Sequence, residues 1–269
     1  LNRYLKLVHL EVHRFRYAIF SLMFLTATIQ MIGLVHTTRL RVAGRREAAL
    51  LGDHPRNFSF ADIIGDSQFL FTIPILISII VLGLYVFGIW YRDWTGRDKF
   101  AYRLFTLPAA RRHVYMAKAS AIFIFVFAMV SFQLLLLLLE RQLFDWMVPS
   151  EYRMPSLLAE AVASNLVFVR YLLPPDGLMF AVYYGTGILA VFVIFTAILL
   201  ERSYHLAGII YAILYAASCA AVIGFAFSLH PYVYFYPREI TVIRLCIYIV
   251  VMSLTLTLGF RLVSKKITV

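Results

Sequence analysis

His9 and His13 stand four residues apart, the spacing that places two imidazoles on one helix face where they could share a metal ion. No third ligand lies near them, so they read as interfacial histidines and no metal is expected. No Gly-x-x-x-x-Gly-Lys-Ser/Thr run occurs, so the chain has no phosphate-cradling loop of its own. All seven histidines fall outside the long apolar runs, which leaves none for intramembrane metal chemistry or for axial ligation of a buried haem. Asp and Glu are also missing from those runs, where an ion-coupled carrier would bury one. Both cysteines, Cys219 and Cys246, lie within apolar runs and behave there as small hydrophobes. No catalytic residue and no cofactor are expected, and any energy source must come from a partner.

The elements that would carry these residues are membrane spans. Mean hydropathy is +0.83 and only 14% of residues are charged. Six apolar runs, at about 17–35, 67–90, 119–139, 178–200, 206–227 and 240–263, each approach or exceed the roughly 20 residues needed to cross a hydrocarbon core as a helix. Five of them contain no charged residue; the sixth contains Arg244, near enough to one end to extend its guanidinium to the headgroups, and Arg261, which flanks its inner end. The fold class expected is therefore an all-α integral membrane protein of six transmembrane helices, spanning 17–263. With the N-terminus in the cytoplasm, the inner segments hold 15 Lys/Arg against 9 in the outer ones, which favours cytoplasmic N- and C-termini, including the tail 264–269. The net charge of +11 then faces anionic lipid rather than nucleic acid, because the basic residues flank spans instead of lining a soluble module.

Residues 1–16 alternate as an amphipathic helix, with Leu1, Leu5, Val8, Val12 and Phe15 opposed to Asn2, Arg3, Lys6, His13, Arg14 and Arg16. The pattern predicts an interfacial helix that lies along the bilayer before the chain turns into it. The outer segment 36–66 is polar and reads as a short excursion rather than a domain. The outer segment 140–177 contains an apolar period over 156–173, which reads as an interfacial or partly re-entrant helix. The basic cytoplasmic loop 91–118 is more specific: after Thr95-Gly96 breaks the second span, Phe100, Ala101, Leu104 and Phe105 form one apolar stripe, and Pro108 ends the short helix near Leu107. Exposed aromatics with a basic rim fit a docking element for another protein.

This arrangement resembles the permease subunit of an ABC-2-type ABC transporter. The residues that carry the resemblance are Phe100 to Phe105, Leu107-Pro108, Arg111 and the Lys118 that opens the third span. Ala110 stands where the commoner pattern has Ser before the Arg. The resemblance implies that 98–107 is a coupling helix, with Phe100, Leu104, Phe105, Leu107 and Arg111 docking a separate cytoplasmic ABC ATPase subunit. It also implies a second permease, either another copy or a related chain, and export across the plasma membrane of a bacterial cell. A non-transport scaffold or sensor, whose basic loop docks a regulatory protein, is the other reading of the same features.

Inside the spans, polarity is confined to residues such as Thr26, Thr28, Gln30, Ser131, Gln133, Thr186, Ser218 and Ser253. A path of this kind suits an amphipathic or hydrophobic cargo, such as a peptide, lipid or drug, better than an inorganic ion, although interhelical hydrogen bonding is the simpler role for most of these side chains. Pro74 predicts a kink, and a hinge if the helix moves. Gly208, Ala212, Ala216, Ala220 and Gly224 recur every fourth residue and form a stripe for close helix packing, either within the chain or against a second permease.

Overall fold

A computed structural model describes residues 2–52, 56–95, 111–165, 172–173, 177–229 and 236–265. Seven helices account for nearly all of them: α1 (Asn2–Leu50), α2 (Phe60–Asp66), α3 (Gln68–Thr95), α4 (Arg111–Met147), α5 (Leu158–Ser164), α6 (Gly177–Ser228) and α7 (Pro237–Lys265). They supply six segments long and apolar enough to cross a membrane. Their outward side chains, including Phe24, Ile80, Leu84, Leu214, Ile249 and Leu254, are large, apolar and exposed. Water would penalise so much uncovered hydrocarbon, whereas lipid accepts it. The chain divides into two units, Leu1–Arg14 with Leu82–Ile124 and Ala181–Val269, and Phe15–Val81 with Phe125–Phe180.

The N-terminal segment is part of a longer helix, without the break expected before the first apolar run. No turn separates residues 16 and 17, because α1 runs unbroken through 49 residues, about 73 Å of helix. Part of its apolar surface is covered by its own chain: Leu7 and Val8 pack on Val114 and Ala117 with Val12 beside them, and the Tyr4 hydroxyl shares a 2.6 Å hydrogen bond with Ser120 Oγ, while Leu5 stays exposed.

The helix α6 contains two spans, Gly177–Tyr204 and Leu206–Ser228. Residues eight apart in a straight helix are separated by about 12 Å along the axis. A Cβ placed on Gly208 would nevertheless lie 2.5 Å from the Leu200 carbonyl oxygen and 2.6 Å from that of Glu201, so the chain reverses sharply there. Gly208 is the residue that lets the two backbones meet. Arg244 also differs from the expected headgroup contact. Its guanidinium donates to the carbonyls of Ala226 at 2.8 Å, Phe227 at 3.3 Å and Leu229 at 3.1 Å, and so satisfies the C-terminal carbonyls that α6 leaves without intrahelical donors.

In the second unit, what reads from sequence as a loose excursion is packed structure. Helix α1 continues to Leu50, and α2 begins with a reciprocal cap in which Asp62 N donates to Ser59 Oγ at 3.2 Å and Ser59 N donates to Asp62 Oδ2 at 2.7 Å. Phe58 bridges to the 152–154 stretch, donating to Tyr152 O at 3.2 Å and accepting from Met154 N at 3.0 Å. Phe58, Phe60, Ile63 and Ile64 then close with Phe144, Val148 and Ala161 over Leu34, Phe71 and Leu137. Of the helix expected over 156–173, Leu158–Ser164 is helical and packs on α2 as α5; residues 166–171 lie outside the described set.

Pro74 is buried inside α3, and the nearby carbonyl of Phe71 accepts from Gln30 Nε2 at 3.2 Å. Gln30 Oε1 in turn accepts from Gln133 Nε2 at 2.8 Å, so these two span residues are interhelical links. Glu140, one residue beyond the third apolar run, is wholly buried, and neither carboxylate oxygen has a partner among the described residues. The sequence reading placed it on the outer surface. It points inward because it shares a helix face with Gln133, Leu137 and Phe144, all buried.

The glycines supply a test of opposite signs. Gly208→Ala drives a methyl into two backbone carbonyls and is expected to cost about 1–3 kcal/mol as overpacking. Gly224→Ala meets nothing within 4 Å and is expected to be neutral or to stabilise by up to about 1 kcal/mol through helix propensity. Thermal unfolding of the two variants in detergent checks this, and equal shifts would contradict the reversal at 200–208.

Candidate functional site

The most unusual side chains in the first unit are three charges that carry almost no exposed surface. Lys118 on α4 is 1% exposed, Glu11 on α1 is 3% and Asp93 on α3 is 4%. A charge taken out of water costs several kcal/mol unless partners replace its hydration. Here the replacement is complete for the ammonium: Lys118 Nζ donates to Glu11 Oε1 at 2.9 Å, to Ile89 O at 2.9 Å and to Asp93 Oδ2, using all three of its protons. It also lies 5.2 Å from the centre of the Trp90 ring.

The second oxygen of each carboxylate takes an arginine. Asp93 Oδ1 accepts from Arg14 at 3.0 Å, and Glu11 Oε2 accepts from Arg92 at 2.8 Å. Glu11 and Arg14, three apart, share one face of α1 and present opposite charges to α3 and α4. Five side chains from three helices therefore form one network, in which every carboxylate oxygen has a cation. Beneath it Trp90, Tyr115, Phe195 and Phe260 pack ring to edge, with Trp90 and Phe195 at 5.5 Å and Tyr115 and Phe260 at 5.6 Å. The reversal of α6 joins the same end of α3, where the Tyr91 hydroxyl donates to Glu201 and the Arg202 guanidinium lies 5.2 Å from the Tyr91 ring and 5.0 Å from the Trp94 ring.

The network stands at the described ends of the two helices that flank segment 96–110. Asp93 and Trp94 are among the last residues before segment 96–110, and Lys118 is two helical turns into the helix that follows it. Both ends of that segment are tied to α1 and to each other.

Of the docking residues read from sequence, Phe100, Leu104, Phe105 and Leu107 lie outside the described residues. Arg111 is the first residue of α4 and half-buried. The small-residue stripe is split. Gly208 is buried at the reversal and Ala212 and Ala216 are half-buried, but Ala220 and Gly224 are exposed, because the buried face drifts to Tyr215, Cys219, Ile223 and Ala226. Four of the eight polar span residues bond locally: Thr28, Thr186, Ser218 and Ser253 donate to carbonyls three or four residues back, and Thr186 also shares a 3.1 Å hydrogen bond with the Tyr248 hydroxyl, whereas the buried Thr26 hydroxyl has no partner among the described residues.

Sequence reasoning missed Glu11 and Asp93 as a pair, since their partners are 107 and 25 residues from them. One signal was available. Glu11 stands three residues after Val8 and four before Phe15, on the apolar face of its own helix, and an acid there requires a buried cation.

Lys118→Met leaves two buried carboxylates short of their shared cation, with an expected cost of about 3 kcal/mol or more. Arg92→Met removes a cation that is more than a third exposed, and is expected to cost less than about 1 kcal/mol. Unfolding midpoints in detergent separate the two; similar losses would mean that the network does not centre on Lys118.

No protein-family model, curated protein or solved structure matches this chain, so its functional reading rests on this geometry and on the sequence features that resemble ABC-2-type permeases.

Proposed function

We propose that this chain is the transmembrane permease subunit of an ATP-driven ABC transporter, exporting an amphipathic or hydrophobic cargo across a bacterial plasma membrane. Segment 96–110 receives force from a separate ATPase subunit, with Phe100, Leu104 and Phe105 filling an apolar groove on that partner. The observation that supports this best is the buried Glu11–Lys118–Asp93 network at both ends of the segment. A loop that only sets topology has no use for an anchor with three desolvated charges, whereas a loop that transmits force needs its ends fixed. Pro74 is the candidate hinge, and the exposed Ala220 and Gly224 are the part of the small-residue stripe left for a second permease.

The direct test replaces Leu104 and Phe105 by Glu and measures co-purification of the ATPase from detergent, normalised to permease recovered. Charge in a desolvated contact is expected to reduce capture by about 100-fold or more while insertion is unchanged. Undiminished capture would remove the coupling assignment, and absence of any nucleotide-binding subunit with the unaltered chain would leave the scaffold reading instead.

A further inference from the structure

Within the second unit, Glu140 stands between Leu137 and Phe144 on the buried face of α4, with both carboxylate oxygens unpartnered among the described residues. Phe144 lies under Phe58 and Phe60, whose ring centres are 6.1 and 5.7 Å away. The cover over this face is thin: it consists of the seven-residue helices α2 and α5 and the bridge from Phe58 to 152–154. Thr38 of α1 is a second orphan, wholly buried and with no partner for its hydroxyl among the described residues. Thr38 and Glu140 each stand about two turns past the Gln30–Gln133 bond that joins their helices.

The charges around this cover are committed elsewhere. On α1, Arg41 donates to Asp66 at 2.7 Å, and Arg45 donates to Asn57 at 2.6 Å and lies 4.8 Å from the Tyr152 ring. Arg153 pairs with Asp145 at 3.3 Å and donates to Val148 O at 2.7 Å. Asp62 caps α2, and Glu160 accepts from Leu157 N at 3.1 Å at the start of α5. His36, Arg39 and Glu151 are exposed, Arg141 is half-buried without touching the carboxylate, and residues 68–81 of α3 hold no titratable group. With several cations in the same unit and none spent on Glu140, the fold is built for the uncharged form, because a carboxylate out of water with no cation is far costlier than the acid.

We propose that Glu140 is carried as the neutral acid and makes this cover a pH-sensitive lid, seated while the acid holds its proton and lifted when it ionises. An ionised Glu140 must be hydrated. The cheapest way to admit water is to release α2 and α5, which are too short to persist unsupported, rather than to part helices of 28 to 49 residues. Since the seated form binds the proton more tightly than the lifted one, the lid is firmest at low pH and loosens as pH rises above the ordinary carboxylate range. The paired acids Asp66 and Asp145 pull the other way, losing their ion pairs only as pH falls. The lid does not depend on the transporter reading.

The test uses the full chain in nanodiscs between about pH 6 and about pH 9, where a single proton changes the lid equilibrium by at most about tenfold per pH unit. Infrared difference spectra are expected to show a protonated-acid carbonyl band that fades as pH rises and is absent from Glu140→Gln. Hydrogen exchange, divided by intrinsic rates, is expected to lose at least about tenfold of its protection across that range at 58–66 and 152–164, while 20–30 of α1 keeps its own. Glu140→Gln, of the same shape and with no proton to lose, is expected to hold lid protection within about twofold. Absence of the acid band from the unaltered chain overturns the proposal. So does lid protection that is independent of pH in the unaltered chain, or that falls equally in Glu140→Gln.

Discussion

One buried ammonium sets the geometry of the first unit. Lys118 has three protons and three acceptors, contributed by α1 and α3. Hydrophobic contacts between Leu7, Val8, Val114 and Ala117 are non-directional and would tolerate a helix sliding by a fraction of a turn. The ion network does not tolerate it, because sliding strands a charge in a medium that cannot solvate it. The register in which α1 packs on α4 follows from that requirement.

The spans were legible in the sequence because bilayer thickness imposes a length, and apolar runs that meet it are hard to mistake. Even the short connection at 201–205 agrees with the reversal that Gly208 permits. What the sequence did not reveal are structures set by pairing over long separations. Glu11 meets Lys118 across 107 residues, and a periodicity argument sees only that 1–16 is amphipathic; it does not say whether lipid or protein covers the apolar face. The same ambiguity hid the packed structure of the second unit. The stretch 36–66 is polar enough to resemble a loop, yet the Ser59–Asp62 cap and a few aromatic residues, Phe58, Phe60 and Phe144, suffice to order it once 152–161 lies alongside.

Arg244 shows how a sound principle can select the wrong partner. A guanidinium near the end of a span must find polar company, and headgroups are the usual source. The carbonyls at the C-terminus of α6 are closer and equally in need of donors, so one side chain resolves two deficits. Gln30 and Gln133 follow the same logic deeper in the second unit, where their mutual hydrogen bond and the link to Phe71 O leave little of either amide for a passing solute.

A buried ion network is a poor means of gaining stability, since well-packed hydrophobic residues of the same volume commonly do as well or better. Its distinguishing property is that it admits few arrangements. Around Lys118, the aromatic cluster of Trp90, Tyr115, Phe195 and Phe260 supplies cohesion with little directional preference, and the charges choose one register from those that cohesion would allow. That division of labour explains why the charged layer lies at the end of α3 and the start of α4 rather than deep in a span. Register is fixed by charge at the described ends of α3 and α4, whereas deeper links, such as that between Gln30 and Gln133 in the second unit, join helices through neutral hydrogen bonds.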